Sequence, residues 1–212
     1  MLAGCIEEKT LHIVCLVSQI RILFVKAKYW LFRLFVFFFY VNLLGLRPGV
    51  WYEISKLPIA SEGKGTCGQA EYTLNGDVVI VKNSHIIEGE KKFIEGTAKY
   101  AADANEAAKF VVSFKFGDFV SESPLLILAT DFNHYSIAYN CKYNEKTKTH
   151  NEQAWILSRS KTLEGEAKTF VDNFLKENSK LIDSTKLVQT DFSEEACKFT
   201  SSSVMTEQTA KP

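Results

Sequence analysis

Between residues 49 and 159 the sequence breaks into eight short runs rich in β-branched and aromatic residues, each set off from the next by a turn signal. The runs are GVWYEISK, CGQAEYTL, DVVIVKNSHII, KFIEGTAKYA, KFVVSFKF, PLLILAT, YSIAYNCKY and EQAWILSR. Asn75-Gly76, Glu88-Gly89, Gly117-Asp118 and the polar stretches around Asp103, Asp131 and Asn144 punctuate them. Asn-Gly between alternating runs is the strongest short hairpin cue. No stretch of helical period intervenes, so parallel βαβ units are excluded and the short connections predict an antiparallel up-and-down meander. Eight such strands close into a barrel without free edges, with room inside for one small ligand. The 212 residues are enough for the core of one domain. A formal net charge of zero argues against a nucleic-acid binder, and 46% hydrophobic residues argue against wholesale disorder.

Past the last run, Ala167, Phe170, Val171, Phe174 and Leu175 recur at helical spacing, a narrow apolar stripe on an otherwise charged segment. The spacing predicts one C-terminal α-helix packed outside the barrel. Thr162 is its expected N-cap, and Glu164 and Glu166 suit the positive end of the helix dipole. Residues 186–190 suit a short edge strand, and residues 201–212 read as a frayed, flexible tail. Residues 1–46 differ from everything after them. They hold five basic and two acidic side chains and end in a 13-residue uncharged run, LFVFFFYVNLLGL. As a helix that run rises about 20 Å, short of a hydrocarbon core of roughly 30 Å. A basic flank, a short apolar run and then a hydrophilic domain are the layout of a signal peptide, although Leu43 is bulky where cleavage wants a small residue. A signal anchor from Tyr29, an aberrantly joined N-terminus and a buried helix are the other readings. All but the last leave the working domain at residues 47–200.

Three motifs then carry a resemblance. Gly49-Val50-Trp51 on the first strand, Thr130-Asp131-Phe132-Asn133-His134-Tyr135 between the sixth and seventh, and Arg159 after the eighth resemble, in order and spacing, the signatures of the lipocalin family. CGQAEYTL, FIEGTA, YNCKY, LSRSK and DFSEEAC are similar to its insect bilin-binding branch (bilin-binding protein, insecticyanin) and to apolipoprotein D. The resemblance implies an all-β, eight-stranded barrel whose closed end is plugged by Trp51 beneath the Arg159 guanidinium, a contact worth about 0.5–2 kcal/mol. Asp131 would tie down the adjoining turn by accepting backbone N–H bonds. It further implies a Cys67–Cys197 disulfide. The partner that Cys141 has in that branch lacks a counterpart shortly before Gly49, which leaves Cys141 free or joined to Cys15 or Cys5. Disulfides imply an oxidising compartment, hence a secreted, extracellular protein.

With Trp51 placed inside, strand parity and the resemblance together select a ligand set. It comprises Asn83 and His85 with Val81 deeper, Ile94, Phe114 and Phe116 beside Val112, Asn140 and Lys142, and Asn151, Gln153 and Trp155. A slip of one residue turns a strand's whole list outward. This lining, apolar with a few amides, one imidazole and one ammonium, suits an extended apolar ligand fixed by a few hydrogen bonds. The resemblance implies a carrier of a small hydrophobic molecule. Biliverdin is the first choice, with fatty acid, retinoid or carotenoid as alternatives. No cofactor is required, nucleic acid is not a partner, and a membrane is one only if residues 1–46 are retained as an anchor. His85 reads as a mouth histidine, a polar ligand contact or a haem ligand, and Phe114 and Phe116 as ligand wall or barrel filling. The rival function is an enzyme of the prostaglandin-isomerase kind with a Cys67 thiolate. Nothing else supports catalysis. His12, His85, His134 and His150 lack metal-ligand spacing, and neither a nucleophile elbow nor a phosphate loop occurs.

Overall fold

The computed structural model describes residues 46–59, 65–104, 108–145 and 147–205. The readings of the first 45 residues, including any bridge to Cys5 or Cys15, lie outside the described residues. Eight strands follow the eight runs: β1 (Gly49–Lys56), β2 (Thr66–Asn75), β3 (Val78–Ile87), β4 (Glu90–Tyr100), β5 (Lys109–Phe116), β6 (Phe119–Thr130), β7 (Tyr135–Asn144) and β8 (Thr149–Ser158). Each pairs antiparallel with the next, and β8 returns to pair with β1, so the sheet closes on itself. The dipeptides Gly76-Asp77, Glu88-Gly89 and Gly117-Asp118 are the whole connection in three of the hairpins.

β6 starts five residues before the run that predicts it, because the proline that closes off the sequence pattern is harmless in place. Pro124 pairs with Val111 of β5, while β7 joins β6 only from Leu126 onward. A residue without an N–H is tolerated where one side of the strand has no neighbour. β4 and β5 approach closely at Gly96. A Cβ there would lie 2.3 Å from the Ser113 carbonyl oxygen and 2.5 Å from the Phe114 ring, so only glycine lets the two strands meet.

After the barrel come α1 (Gly165–Glu177), a single 3-10 turn (Ser184–Lys186), β9 (Val188–Gln189) and β10 (Ser201–Val204). The helix lies where the apolar stripe predicts. Ala167, Phe170, Val171, Phe174 and Leu175 cover Tyr135, Ile137 and Tyr139 on the outer face of β7, with Phe170 stacked on Tyr135 at 4.8 Å between ring centroids. Its start differs from expectation. Glu164, not Thr162, occupies the N-cap, without a side-chain cap bond, while the Thr162 carbonyl accepts from the Ser158 and Ser160 hydroxyls. The serine turn leading into the helix fixes the Thr162 backbone, and the helix begins beyond it. β9 pairs with Ser55 and Lys56 of β1, as the edge-strand reading requires.

Two boundaries move. Residues 201–204 are not a frayed tail but a strand that pairs parallel with Glu90–Phe93 of β4, and Met205 behind them is buried. The reason is an open edge: β5 pairs with β4 only along Gly96–Tyr100, so the rest of β4 has backbone groups to satisfy. Leu46, read as the end of the apolar segment, is 1% exposed and packs with Trp51, Tyr72, Val79 and Phe110 inside the barrel. The core is therefore double. One cluster fills the lower barrel, and a second lies between the helix and β7.

Candidate functional site

The barrel's closed end is built from the three signature segments. Trp51 is 1% exposed, and the Arg159 guanidinium carbon lies 3.7 Å from the centre of its ring. Arg159 Nη1 donates to the Val50 carbonyl at 2.9 Å and Nη2 to that of Pro48 at 3.1 Å, while Trp51 Nε1 donates to Arg47 O at 3.1 Å. Gly49 makes this possible, since its φ is +108° and a Cβ there would stand 3.0 Å from Arg159 Nη1. Asp131 Oδ1 accepts from the backbone N–H groups of Asn133, His134 and Tyr135 at 3.1, 2.7 and 3.0 Å. Thr130 Oγ1 accepts from Phe132 N and donates to Tyr135 O. Burial acts to raise the Asp131 carboxyl, but the bonds from Tyr135, His134 and Asn133 together outweigh it and hold the group below its ordinary range. These residues seal the floor.

Above the floor the barrel is hollow. The cavity measures about 530 Å³, inside the roughly 300–1,000 Å³ of small-molecule sites. Asn83, His85, Ile94, Phe114, Phe116, Asn140, Gln153 and Trp155 all line it, so eight of the ten residues selected from the sequence come together. Val81 and Val112 lie there too. Lys142 and Asn151 do not. They face each other across β7 and β8 on the predicted side, but the hairpin outruns its neighbour at that height and both are exposed. β6 leaves β7 beyond Tyr139, and only β8 remains beside it.

The cavity wall carries polar atoms with unmet hydrogen bonds. Asn140 Nδ2 donates to Gln153 Oε1 at 3.0 Å, while Asn140 Oδ1 is buried without a partner among the described residues; Asn83 Oδ1 is in the same state. Buried acceptors left alone are costly, by about 1–3 kcal/mol. His85 is buried and stands opposite Lys92 of β4. Tyr72, deep in the cavity, has its hydroxyl pushed far up by burial, more than Arg159 pulls it down, and stays protonated.

Several lining residues escape the sequence reading. Glu53 is one, and it forms a buried ion pair with Lys56 at 2.9 Å, with Thr190 Oγ1 donating to the same oxygen at 3.3 Å. A buried carboxylate requires such partners. The parity that places Trp51 inside also places Glu53 there, so this signal was available. Tyr72 and Ala70 sit opposite Gly49 and Trp51 in the ladder and follow by the same logic once β2 is registered. Met205 carries no such signal.

Cys67 is bonded to Cys197 with Cα atoms 5.6 Å apart, which ties the segment after the helix to the start of β2. Cys141 is also disulfide-bonded, and the reading that leaves it free is corrected. Among the described residues, no group of three or more histidine, cysteine or acidic side chains could hold a metal ion.

Comparison with known proteins agrees with this geometry. Residues 48–194 match the lipocalin / cytosolic fatty-acid binding protein family. The chain is 47% identical over 150 residues to the bilin-binding protein of Pieris brassicae, covering 71% of this chain and 78% of that one. Apolipoprotein D of Cavia porcellus is 37% identical over 145 residues, 68% of this chain and 73% of that one. The solved structure of insecticyanin from Manduca sexta superposes with a TM-score of 0.70 at 42% identity, covering 77% of this chain and 86% of that one.

Proposed function

Since the chain belongs to the lipocalin / cytosolic fatty-acid binding protein family, we propose that its barrel carries an open-chain tetrapyrrole, biliverdin, in an oxidising extracellular setting. The observation that supports this ligand is the pair of orphaned acceptors, Asn83 Oδ1 and Asn140 Oδ1, set among Phe114, Phe116 and Trp155 in one cavity. A bilin has flat conjugated rings to lie against the aromatic side chains and N–H groups along its length to meet those oxygens. A fatty acid or retinoid carries its polar group at one end and can meet at most one of the two acceptors. The bilin-binding protein of Pieris brassicae, by its name, binds such a ligand, and at 47% identity it lends weight to the same assignment here.

Carriage rather than catalysis is the chemistry on offer. The thiol that an isomerase mechanism would need at Cys67 is consumed in the bridge to Cys197. That bridge also supports secretion, since such bonds persist outside the reducing cytosol. Titration of the purified protein with biliverdin, followed by visible absorbance, tests the assignment. A saturable, one-to-one spectral shift is expected. A spectrum that stays that of free pigment, alongside tight binding of a fatty acid or retinol, would replace the bilin with a lipid.

A further inference from the structure

We propose that Met205, carried into the cavity by β10, is a specificity-determining wall residue, and that residues 201–205 form a detachable panel of the pocket. The inference builds on the carrier reading and adds to it a part of the wall that the eight barrel strands do not supply. β4 continues toward the mouth past Gly96, where its pairing with β5 stops, and along Glu90–Phe93 its neighbour is β10 instead. The parallel register sets Ser203 beside Lys92 and Val204 beside Phe93. Lys92 Nζ donates to Ser203 Oγ at 3.0 Å and pairs with Glu90 at 2.6 Å, so Ser203 sits on the same face as those two side chains. Alternation then puts Met205 on that face and Val204 on the other. Their exposures agree, at 9% for Met205 and 56% for Val204. Met205 N donates to Phe93 O at 2.8 Å, and its side chain lines the cavity together with Ile94, Phe114 and Phe116.

Met205 is thus an apolar side chain in ligand reach, held by a four-residue strand that pairs, among the described residues, with β4 alone. A short edge strand with one buried side chain belongs to the low-stability end of a fold, where opening precedes global unfolding. A polarizable thioether against a flat conjugated ring also makes a favourable contact. Met205 therefore favours planar aromatic ligands, and the panel slows their escape.

The test compares three full-barrel proteins: wild type, Met205→Ala, and a chain ending at Thr200. Each is titrated with biliverdin and with the amphiphilic fluorophore anilinonaphthalene sulfonate, and dissociation is followed by stopped flow. Both variants are expected to bind biliverdin about tenfold more weakly, the scale of losing a few pocket methylenes, with faster dissociation in the truncated chain. Hydrogen exchange at Glu90–Phe93 should rise in the truncated chain while the other barrel strands keep their protection. Wild-type affinity and dissociation in both variants overturn the inference and leave the carrier reading intact. A wild-type protein that binds neither probe overturns both.

Discussion

The acceptor of Asn83 is a small feature with a measurable consequence. Its unmet Oδ1 costs stability in the empty barrel, so Asn83→Leu is expected to raise the urea unfolding free energy of the ligand-free protein by about 1–3 kcal/mol. The same change removes a bond to the ligand and should weaken biliverdin binding by roughly three- to tenfold. Equal affinity in that variant would take Asn83 out of the binding set. Asp131 gives a pH signature. Its carboxyl is held below the ordinary range in the folded protein, so its contribution to stability is fully present above the unfolded value of about 3.9 and is lost as pH falls through the lower folded value. Unfolding curves through the acid range should show wild type losing stability relative to Asp131→Asn as pH falls. A constant difference between the two would show that the charge on Asp131 is not what holds the turn.

Among the elements, the barrel strands follow from alternation and turn chemistry, and the helix from a five-residue stripe. What escaped is instructive. Parity assigns a face but not a height: Lys142 and Asn151 pair across β7 and β8 yet lie exposed, outside the residues that line the cavity. β10 escaped altogether, because a run of three serines and a valine has no pattern of its own; the strand exists because β4 offers an unpaired edge. Pro124 misplaced the start of β6 for a related reason, since whether a proline can sit in a strand depends on the neighbours the strand will acquire. The segment after the helix is tied to the barrel by the Cys67–Cys197 bridge, with Cys67 N donating to Asp191 O and Thr66 Oγ1 to Ala196 O beside it. The loop it closes spans 130 residues, and the chain-entropy estimate for a loop of that size is about 4–5 kcal/mol. Replacing both cysteines by serine should lower the unfolding free energy by up to that amount and release the segment to proteolysis ahead of the barrel. Unchanged stability and protection would mean that β9, β10 and their ladders hold the segment without the bridge.

For the molecule as a whole, the account rests on a division of labour between the two ends of one barrel. The closed end is committed to structure: Trp51, Arg159 and Asp131 are packed or bonded to the backbone, and Leu46 above them forms the bottom of the cavity wall. Toward the mouth the wall is aromatic and aliphatic, interrupted by amides whose bonds are unmet. That asymmetry was legible in the sequence as three signature motifs around a parity pattern, whereas the cavity's volume and its unsatisfied atoms were not, because both depend on how strands of different length meet. Native mass spectrometry of the purified protein, mixed with biliverdin and a long-chain fatty acid in equal amounts, distinguishes a bilin carrier from a lipid carrier. A single species heavier than the bare chain by one biliverdin is expected, with the fatty acid excluded. A bare chain, or one carrying the fatty acid in preference, would contradict the bilin assignment.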